Sequence, residues 1–248
     1  MKLFLDNTNF IDTSEGIDIS IAVGKQPMGA KAWYVNEPTI EPVRANGYVG
    51  SVAEGGSTNF RDITFNPHGN GTHTECLGHI TKEVYSINEH LKTFFFDALL
   101  ISITPIELEN GDFVITNEQL KDAIGHQKAQ ALIIRTLPNL EDKLTTNYSN
   151  TNPAYLQIEC IETIDAMGCV HLLLDLPSVD RESDNGVLAM HHAFWQVPQN
   201  PQFHKTITEF IFVPNSVTDG NYILNLQVAP FVNDASPSRP ILYPIKKG

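Results

Sequence analysis

Basic residues are scarce: 16 lysines and arginines stand against 29 aspartates and glutamates, a formal charge of −13 over 248 residues. A surface that acidic repels phosphate backbones, and no basic stripe offsets it, since Lys246 and Lys247 form only a short solvated tail. Nucleic acid is therefore excluded as a partner. Cysteine is equally sparse. Cys76, Cys160 and Cys169 are widely spaced and odd in number, which excludes a disulfide framework and leads us to expect a reducing compartment, the cytoplasm. No apolar run approaches the roughly twenty residues that a membrane span requires. The opening MKLFLDNTNF is interrupted by Asp6 and Asn7 before an apolar leader can develop, so neither a membrane anchor nor a leader is expected. No repeat or Pro/Gly/Ser-rich tract divides the chain, and a single domain over residues 1–248 is expected, long enough to bury most of its apolar surface without crosslinks.

What is present alternates between two periods. Ile17 to Val23, Ala98 to Thr104, Ala131 to Thr136, Val170 to Leu176 and Thr208 to Val213 read as strands, rich in β-branched residues and punctuated by Pro, Gly, Asn and Asp. Asn117 to Ile124 reads as a helix between an N-cap at Thr116 and a stop at Gly125. Pro153 to Met167 reads as a second, with Tyr155, Ile158, Ile161 and Ile164 on one stripe and Gly168 as its end, and Val187 to Trp195 as a shorter third. The mixture is α/β. From Lys25 to Asn59 no period emerges, and a long irregular stretch of this kind is expected to serve as a binding loop, with Trp33 and Tyr34 available to line a pocket.

The histidines carry the chemistry. Of nine, three fall in the run His68-Gly-Asn-Gly-Thr-His73-Thr-Glu75-Cys-Leu-Gly-His79. His73 and Glu75 are two apart, so on extended backbone both side chains leave the same face. Imidazole nitrogen and carboxylate oxygen converging on one point make a site for Zn²⁺ or Mn²⁺, and Gly69 and Gly71 allow a loop to wrap it closely. Two ligands hold a divalent ion poorly, so others must come from elsewhere. His191 and His192 sit in the third candidate helix, and Glu209 interrupts an otherwise apolar strand, where burial is costly unless it is paired or coordinated. Cys76, inside the motif, reads as a small buried hydrophobe rather than a nucleophile. Phe94 to Phe96 read as core or a subunit contact.

The string Gly71-Thr72-His73-Thr74-Glu75 followed by Gly78-His79 resembles the His-x-Gly-Thr-His-x-Asp-x-x-x-His signature of the cyclase family of metal-dependent hydrolases, which includes bacterial kynurenine formamidase and isatin hydrolase. Leu174-Asp-Leu-Pro-Ser-Val-Asp180 is similar to the family's Asp-x-x-Ser-x-Asp segment, and Asp234-Ala-Ser-Pro-Ser-Arg239 to its closing turn. The match keeps the same order from about Ile17 onward. The resemblance implies a swivelling β/β/α fold with mixed sheets forming a barrel-like core and outer helices. It implies metal ligands at His73, Glu75, His191 and Glu209, and His79 as catalytic acid/base. It also implies a homodimer or higher homo-oligomer. The sequence departs from the signature twice. Glu75 stands where the family has aspartate, and the family's first histidine falls on Gly69, with His68 one residue early; that shift would face a regular strand's other side, and a local distortion is needed to bring His68 in as a further ligand.

The activity expected is hydrolysis of an amide, formamide or lactam of a small aromatic or cyclic substrate by metal-activated water, with Gly78-His79 closer to the isatin-hydrolase-like branch. A lactonase or esterase on the same ligands, or a binding protein that kept the fold without catalysis, are the competing expectations.

Overall fold

The computed structural model describes all residues, Met1–Gly248. Nine strands form its main sheet. In chain order they are β1 (Ile17–Asp18), β2 (His73–Glu75), β3 (Phe95–Ile103), β4 (Ala131–Thr136), β5 (His171–Leu174), β6 (Thr206–Glu209), β7 (Gly220–Asn225), β8 (Ala235–Pro237) and β9 (Ile241–Pro244). Across the sheet the order is β8-β2-β6-β5-β4-β3-β7-β9-β1. The central run β6-β5-β4-β3 is parallel, and every outer pairing is antiparallel. Parallel neighbours need crossovers, and each is supplied by a helix: α1 (Asn117–Ile124), α2 (Cys160–Met167) and α3 (Ala189–Trp195).

Period-two alternation along the central strands divides the core. Leu99, Ile101, Leu132, Ile134, Leu172 and Leu174 point to one face and pack with Leu120, Ile164, Met190, Phe194 and Trp195 of the helices. Ala98, Leu100, Ile133 and Leu173 point to the other, where the sheet curls over Ile19, Leu224 and Leu242 into a half-barrel. The expected α/β class with a curved mixed sheet and outer helices is what the chain adopts. No helix is long and apolar enough to cross a membrane.

The helix over Asn117–Ile124 forms with its Thr116 cap, strengthened by a reciprocal bond between the Gln119 side chain and the Thr116 backbone. The strand Ala131–Thr136 also keeps its expected bounds and the one expected from Ala98 runs longer, over Phe95–Ile103, while the remaining elements are shorter than their sequence patterns. The second helix starts at Cys160, because Tyr155–Leu156 pairs with Val114–Ile115 as a strand instead, with the Tyr155 hydroxyl donating to Asp112 and Leu156 N–H to Val179 O. The first strand stops at Asp18, whose carboxylate takes the Ser20 N–H and hydroxyl and so competes with the ladder. β6 stops at Glu209 because Phe210 adopts φ 56°. The segment from Lys25 to Asn59 is not wholly irregular: Thr39–Pro42 pairs with Arg61–Thr64, and Arg44–Ala45 pairs with Tyr48–Val49 across Asn46-Gly47, both at positive φ as a type I′ turn requires.

One buried titratable group makes the core sensitive to pH. His171 is 3 % exposed, bonded through Nδ1 to the Thr206 hydroxyl at 2.8 Å with its ring 3.9 Å from that of Phe96. Burial, with a smaller push from His204, lowers it from 6.5 to about 4. A depressed imidazole adds stability that is fully present above its unfolded value, declines as pH falls through 6.5 and levels off near 4. The decline is about 3 kcal/mol. Denaturant unfolding between pH 7 and 4 should show it, and His171→Gln should flatten that part of the curve; an unchanged slope in the variant would assign the acid sensitivity elsewhere.

Candidate metal centre

Register brings the predicted residues together. β6 pairs antiparallel with β2, and Glu209 stands directly opposite His73, so their side chains share a face with Glu75 two residues on. His73 Nε2 lies 3.3 Å from Glu209 Oε2 and 4.0 Å from Glu75 Oε2. His191 arrives from α3, its Nε2 at 3.2 Å from Glu75 Oε1 and 4.0 Å from Glu209 Oε1. His79, at the end of a 3-10 turn over Leu77–His79, places Nε2 3.9 Å from Glu75 Oε2. His73, Glu75, His191 and Glu209 are all buried, while His68 and His79 are partly exposed.

The departures from the signature resolve in geometry. A Cβ on Gly69 would lie 2.7 Å from Val35 Cγ2, so a histidine there has no room unless the Val35 side chain shifts. His68 enters in its place. The Asn66 side chain accepts from His68 N–H and Gly69 N–H, at 2.9 and 3.0 Å, which bends the backbone out of strand geometry. His68 thereby sets Nδ1 2.9 Å from Glu75 Oε2 and Nε2 2.7 Å from Asp234 Oδ2, and stacks on the His79 ring at 4.2 Å. Gly71 holds φ 72°, and a Cβ there would come within 2.9 Å of the Ile21 and Ala22 carbonyls. The neighbouring Thr72 hydroxyl accepts from Ile21 N–H at 2.6 Å and donates to Phe210 O, tying the start of β2 to the bend that ends β6.

Two triads result, His73/Glu75/Glu209 and His68/Glu75/His79, sharing Glu75. Their donor chemistry fits a divalent cation. His73 Nδ1 faces the Gly71 carbonyl at 3.3 Å, which favours the Nδ1–H tautomer and leaves a lone pair on Nε2. That buried Nε2 has no hydrogen-bond partner, and neither has the buried Glu75 Oε2, for which the approach of His68 is out of line. Orphaned buried polar atoms are costly, and two of them facing one another across imidazoles and carboxylates are the signature of a missing positive partner. Glu209 has one further anchor, accepting from Val179 N–H at 3.2 Å.

Acidic neighbours hold the imidazoles. Asp180 accepts from Met190 and His191 N–H and from His191 Nδ1, the last at 2.6 Å, fixing the ring so that Nε2 faces Glu75. Asp234 does the same for the outer pair, 2.7 Å from His68 and 3.5 Å from His79 Nδ1. Burial would depress His68 and His191, but Asp234 and Glu75 hold His68 up at about 10, and Asp180 and Glu75 hold His191 up at about 10. Glu75, though wholly buried, is kept well below the usual carboxylate range by His79, His191 and His68. A bound cation replaces the protons that the rings otherwise carry. Asp180 and Asp234 were not among the expected site residues, although both lie in the segments similar to the family's later motifs.

Cys76 packs with its thiol 3.4 Å from Tyr85 O and is pushed up to about 12 by burial, which leaves it protonated and a poor nucleophile. His192 turns away, its Nδ1 3.1 Å from the Val197 carbonyl.

The triads open on a cavity of about 470 Å³, lined by His68, His79, His191 and Glu209 on one side and by Trp33, Arg181 and Glu182 among others. Trp33 is therefore in the wall, held by consecutive positive φ values at Trp33 and Tyr34. Tyr34 itself is exposed and bonds to Asn150 and Glu182. A larger groove of about 870 Å³ between α1 and α2 brings no comparable set together.

These features define an α/β protein with a half-barrel sheet and a paired His/carboxylate centre at one sheet edge. The cyclase family, described as "Putative cyclase", matches residues 17–181, and the chain belongs to that family. No protein of curated function matches the sequence. Among solved structures, one described as a potential metal-dependent hydrolase with cyclase activity aligns with a TM-score of 0.66 at 14% identity, over 92% of this chain and 97% of its own. An isatin hydrolase bound to the product analogue thioisatinate aligns with a TM-score of 0.66 at 13% identity, over 94% and 93%. Isatin hydrolase A from Labrenzia aggregata, bound to benzyl benzoate, gives 0.63 at 13%, over 92% and 93%. At such identities the likeness is one of fold.

Proposed function

We propose that the chain is a metal-dependent hydrolase opening a non-peptide C–N bond, an amide, formamide or lactam, of a small aromatic or cyclic substrate. The observation that carries this reading is the pair of orphaned buried atoms, His73 Nε2 and Glu75 Oε2, converging with Glu209, which itself lines the cavity. The solved relatives described as a metal-dependent hydrolase and as isatin hydrolases support it. His73, Glu75, His191 and Glu209 would hold the ion, with His68, whose Nδ1 lies 2.9 Å from Glu75 Oε2, as a further ligand. Imidazole and carboxylate donors suit zinc or manganese. When bound, such an ion makes water acidic enough to act as a nucleophile at neutral pH and polarises a carbonyl oxygen.

The chain's own residues do the rest. Asp180 orients His191, and Asp234 Oδ2 faces His79 Nδ1 at 3.5 Å, which leaves His79 Nε2 for the cavity side. A nitrogen leaving group needs a proton, and His79 Nε2 delivers it. Trp33 shields one side of the reacting bond from bulk water. Three unpaired buried cysteines accord with a cytoplasmic site of action, and a homodimer or higher oligomer is carried from the family likeness.

Elemental analysis of the purified protein, followed by turnover on formamides, lactams and lactones, tests the reading. Bound metal with amide turnover supports it; ester turnover alone moves the reaction to C–O bonds, and a metal-free, inactive protein removes it. His73→Ala should weaken metal affinity by about 100-fold or more, since even outer-shell changes cost 10–100-fold. Retention of wild-type metal content in that variant would displace His73 from the site.

A further inference from the structure

One side of the cavity is not accounted for by metal chemistry. Arg181 is the only lysine or arginine among the residues lining it, in a chain with 16 such residues against 29 acidic ones. Two carboxylates line the same wall, Glu182 and Asp184, but both are committed to the chain. Glu182 accepts from Asn150 N–H at 2.6 Å, Asn152 N–H at 3.0 Å and the Tyr34 hydroxyl at 3.2 Å. Asp184 accepts from Gly186 N–H at 2.8 Å and Leu188 N–H at 2.6 Å. Their carboxylates are taken up by donors of the surrounding loops, so Arg181 is the charged group of that wall with donors to spare.

Its own anchoring leaves one flank open. Nε and Nη2 both donate to a single oxygen, Asp112 Oδ1, at 3.2 and 3.0 Å. Nη1 makes only a 3.4 Å contact with Ser183 O, and the side chain remains 42 % exposed. A guanidinium has five N–H donors in a fixed plane, and a one-sided, side-on pairing through Nε and Nη2 leaves the Nη1 flank for a second anion. Asp112 in turn does not depend on Arg181, because Asn110, Asn152 and Tyr155 also donate to it at 2.9, 2.9 and 3.1 Å. It holds the guanidinium at the cavity wall without saturating it. Arg181 also follows Asp180, the residue that orients His191, so the anion anchor and the metal-ligand support are rigidly coupled in sequence.

We propose that Arg181 binds a carboxylate carried by the substrate in addition to its scissile bond, so that the substrate class is a small aromatic or cyclic amide bearing a fixed negative charge. This rests on the hydrolase reading for the scissile bond, but not for the anchor. Trp33 lines the same cavity and offers it a flat apolar surface. For a cyclic amide the ring-opened product then carries two carboxylates, one newly formed at the His/Glu end and one at Arg181.

Product-like probes test this on the metal-replete protein. Calorimetry compares benzoate with the 1,2-, 1,3- and 1,4-benzenedicarboxylates, which span different separations. At least one dicarboxylate should bind wild type about 10- to 100-fold more tightly than it binds Arg181→Gln, the range set by a charge-assisted bond. Benzoate should bind the two proteins within about twofold, and Arg181→Lys should recover only part of the dicarboxylate affinity because it loses the planar fork. Thermal unfolding of each variant guards against a folding defect. No measurable dicarboxylate binding to wild type, or equal binding to wild type and Arg181→Gln, overturns the anchor. Loss of the hydrolase reading is separate: it appears as absent metal and absent amide turnover, whatever Arg181 does to dicarboxylate affinity.

Discussion

His79→Ala is expected to lower amide turnover by about 100- to 10,000-fold, the range of a single general acid/base, while bound metal stays at the wild-type level. The position of the ring carries the argument. His73 and Glu209 are buried in the paired strands β2 and β6, whereas the His79 side chain is 31 % exposed, lines the cavity and closes a 3-10 turn. Its Nε2 is 3.9 Å from Glu75 Oε2, beyond hydrogen bonding, and its Nδ1 faces Asp234 at 3.5 Å. Such a ring can take a proton on the cavity side and pass it on without leaving its place. His79→Gln keeps a polar side chain of similar reach but cannot relay a proton at neutral pH, so it should lose nearly as much turnover. Asp234→Asn should cost less, since it disturbs the tautomer and leaves the imidazole. The His68/Glu75/His79 triad offers the rival assignment: if metal content falls with turnover in His79→Ala, His79 is a ligand and the ion belongs to that triad.

How far this centre could be read from the chain depends on sequence distance. His73 and Glu75 were legible because a two-residue spacing on a strand fixes a shared face locally. Glu209 was legible only as a charge in an apolar run; that it stands opposite His73 is decided by strand register across 136 positions, which no local pattern encodes. His68 illustrates the opposite case. Regular geometry would have turned it away, and the Asn66 side chain, by capping two successive N–H groups, reverses that result within the loop. Asp180 and Asp234 escaped as site residues because a carboxylate that orients an imidazole carries no spacing rule of its own. Among the elements, the strongly patterned strand Ala131–Thr136 and helix Asn117–Ile124 have the bounds their sequence suggests. The stripe from Pro153 did not become helix before Cys160, since a strand pairing and the Asp112 hydrogen bond outweigh a weak propensity there. The Asn46-Gly47 dipeptide was a readable hairpin signal inside a segment that otherwise shows no period.

Lys143→Met should destabilise the fold by about 3–5 kcal/mol, the cost of stripping one partner from a buried ion pair. Asp175 lies just beyond the end of β5, only 2 % exposed, and its carboxylate accepts from Lys143 Nζ at 2.8 Å and from the Thr136 N–H and hydroxyl, each at 2.9 Å. Lys143 Nζ donates in addition to Thr136 O at 2.7 Å, so the pair ties the ends of β4 and β5 and the turn over Glu141–Leu144 into one knot. Burial raises the Asp175 carboxyl above its usual value, and Lys143 is the chief influence opposing it. Without the ammonium, a buried carboxylate must either ionise unpaired or take up a proton. The sign of the pH effect follows: with a folded pKa raised above the unfolded one, the variant's deficit is smallest below pH 4 and grows as pH rises and Asp175 is forced to ionise. Denaturant unfolding at pH 4 and pH 7 should therefore show a larger gap from wild type at the higher pH. The double variant Lys143→Met/Asp175→Leu should recover much of the loss, because it removes the stranded charge along with its partner, whereas additive losses in that cycle would mean the two groups act independently. Asp180 follows Asp175 by five positions, so the same knot anchors the segment that orients His191, and Lys143→Met should also loosen metal retention at pH 7.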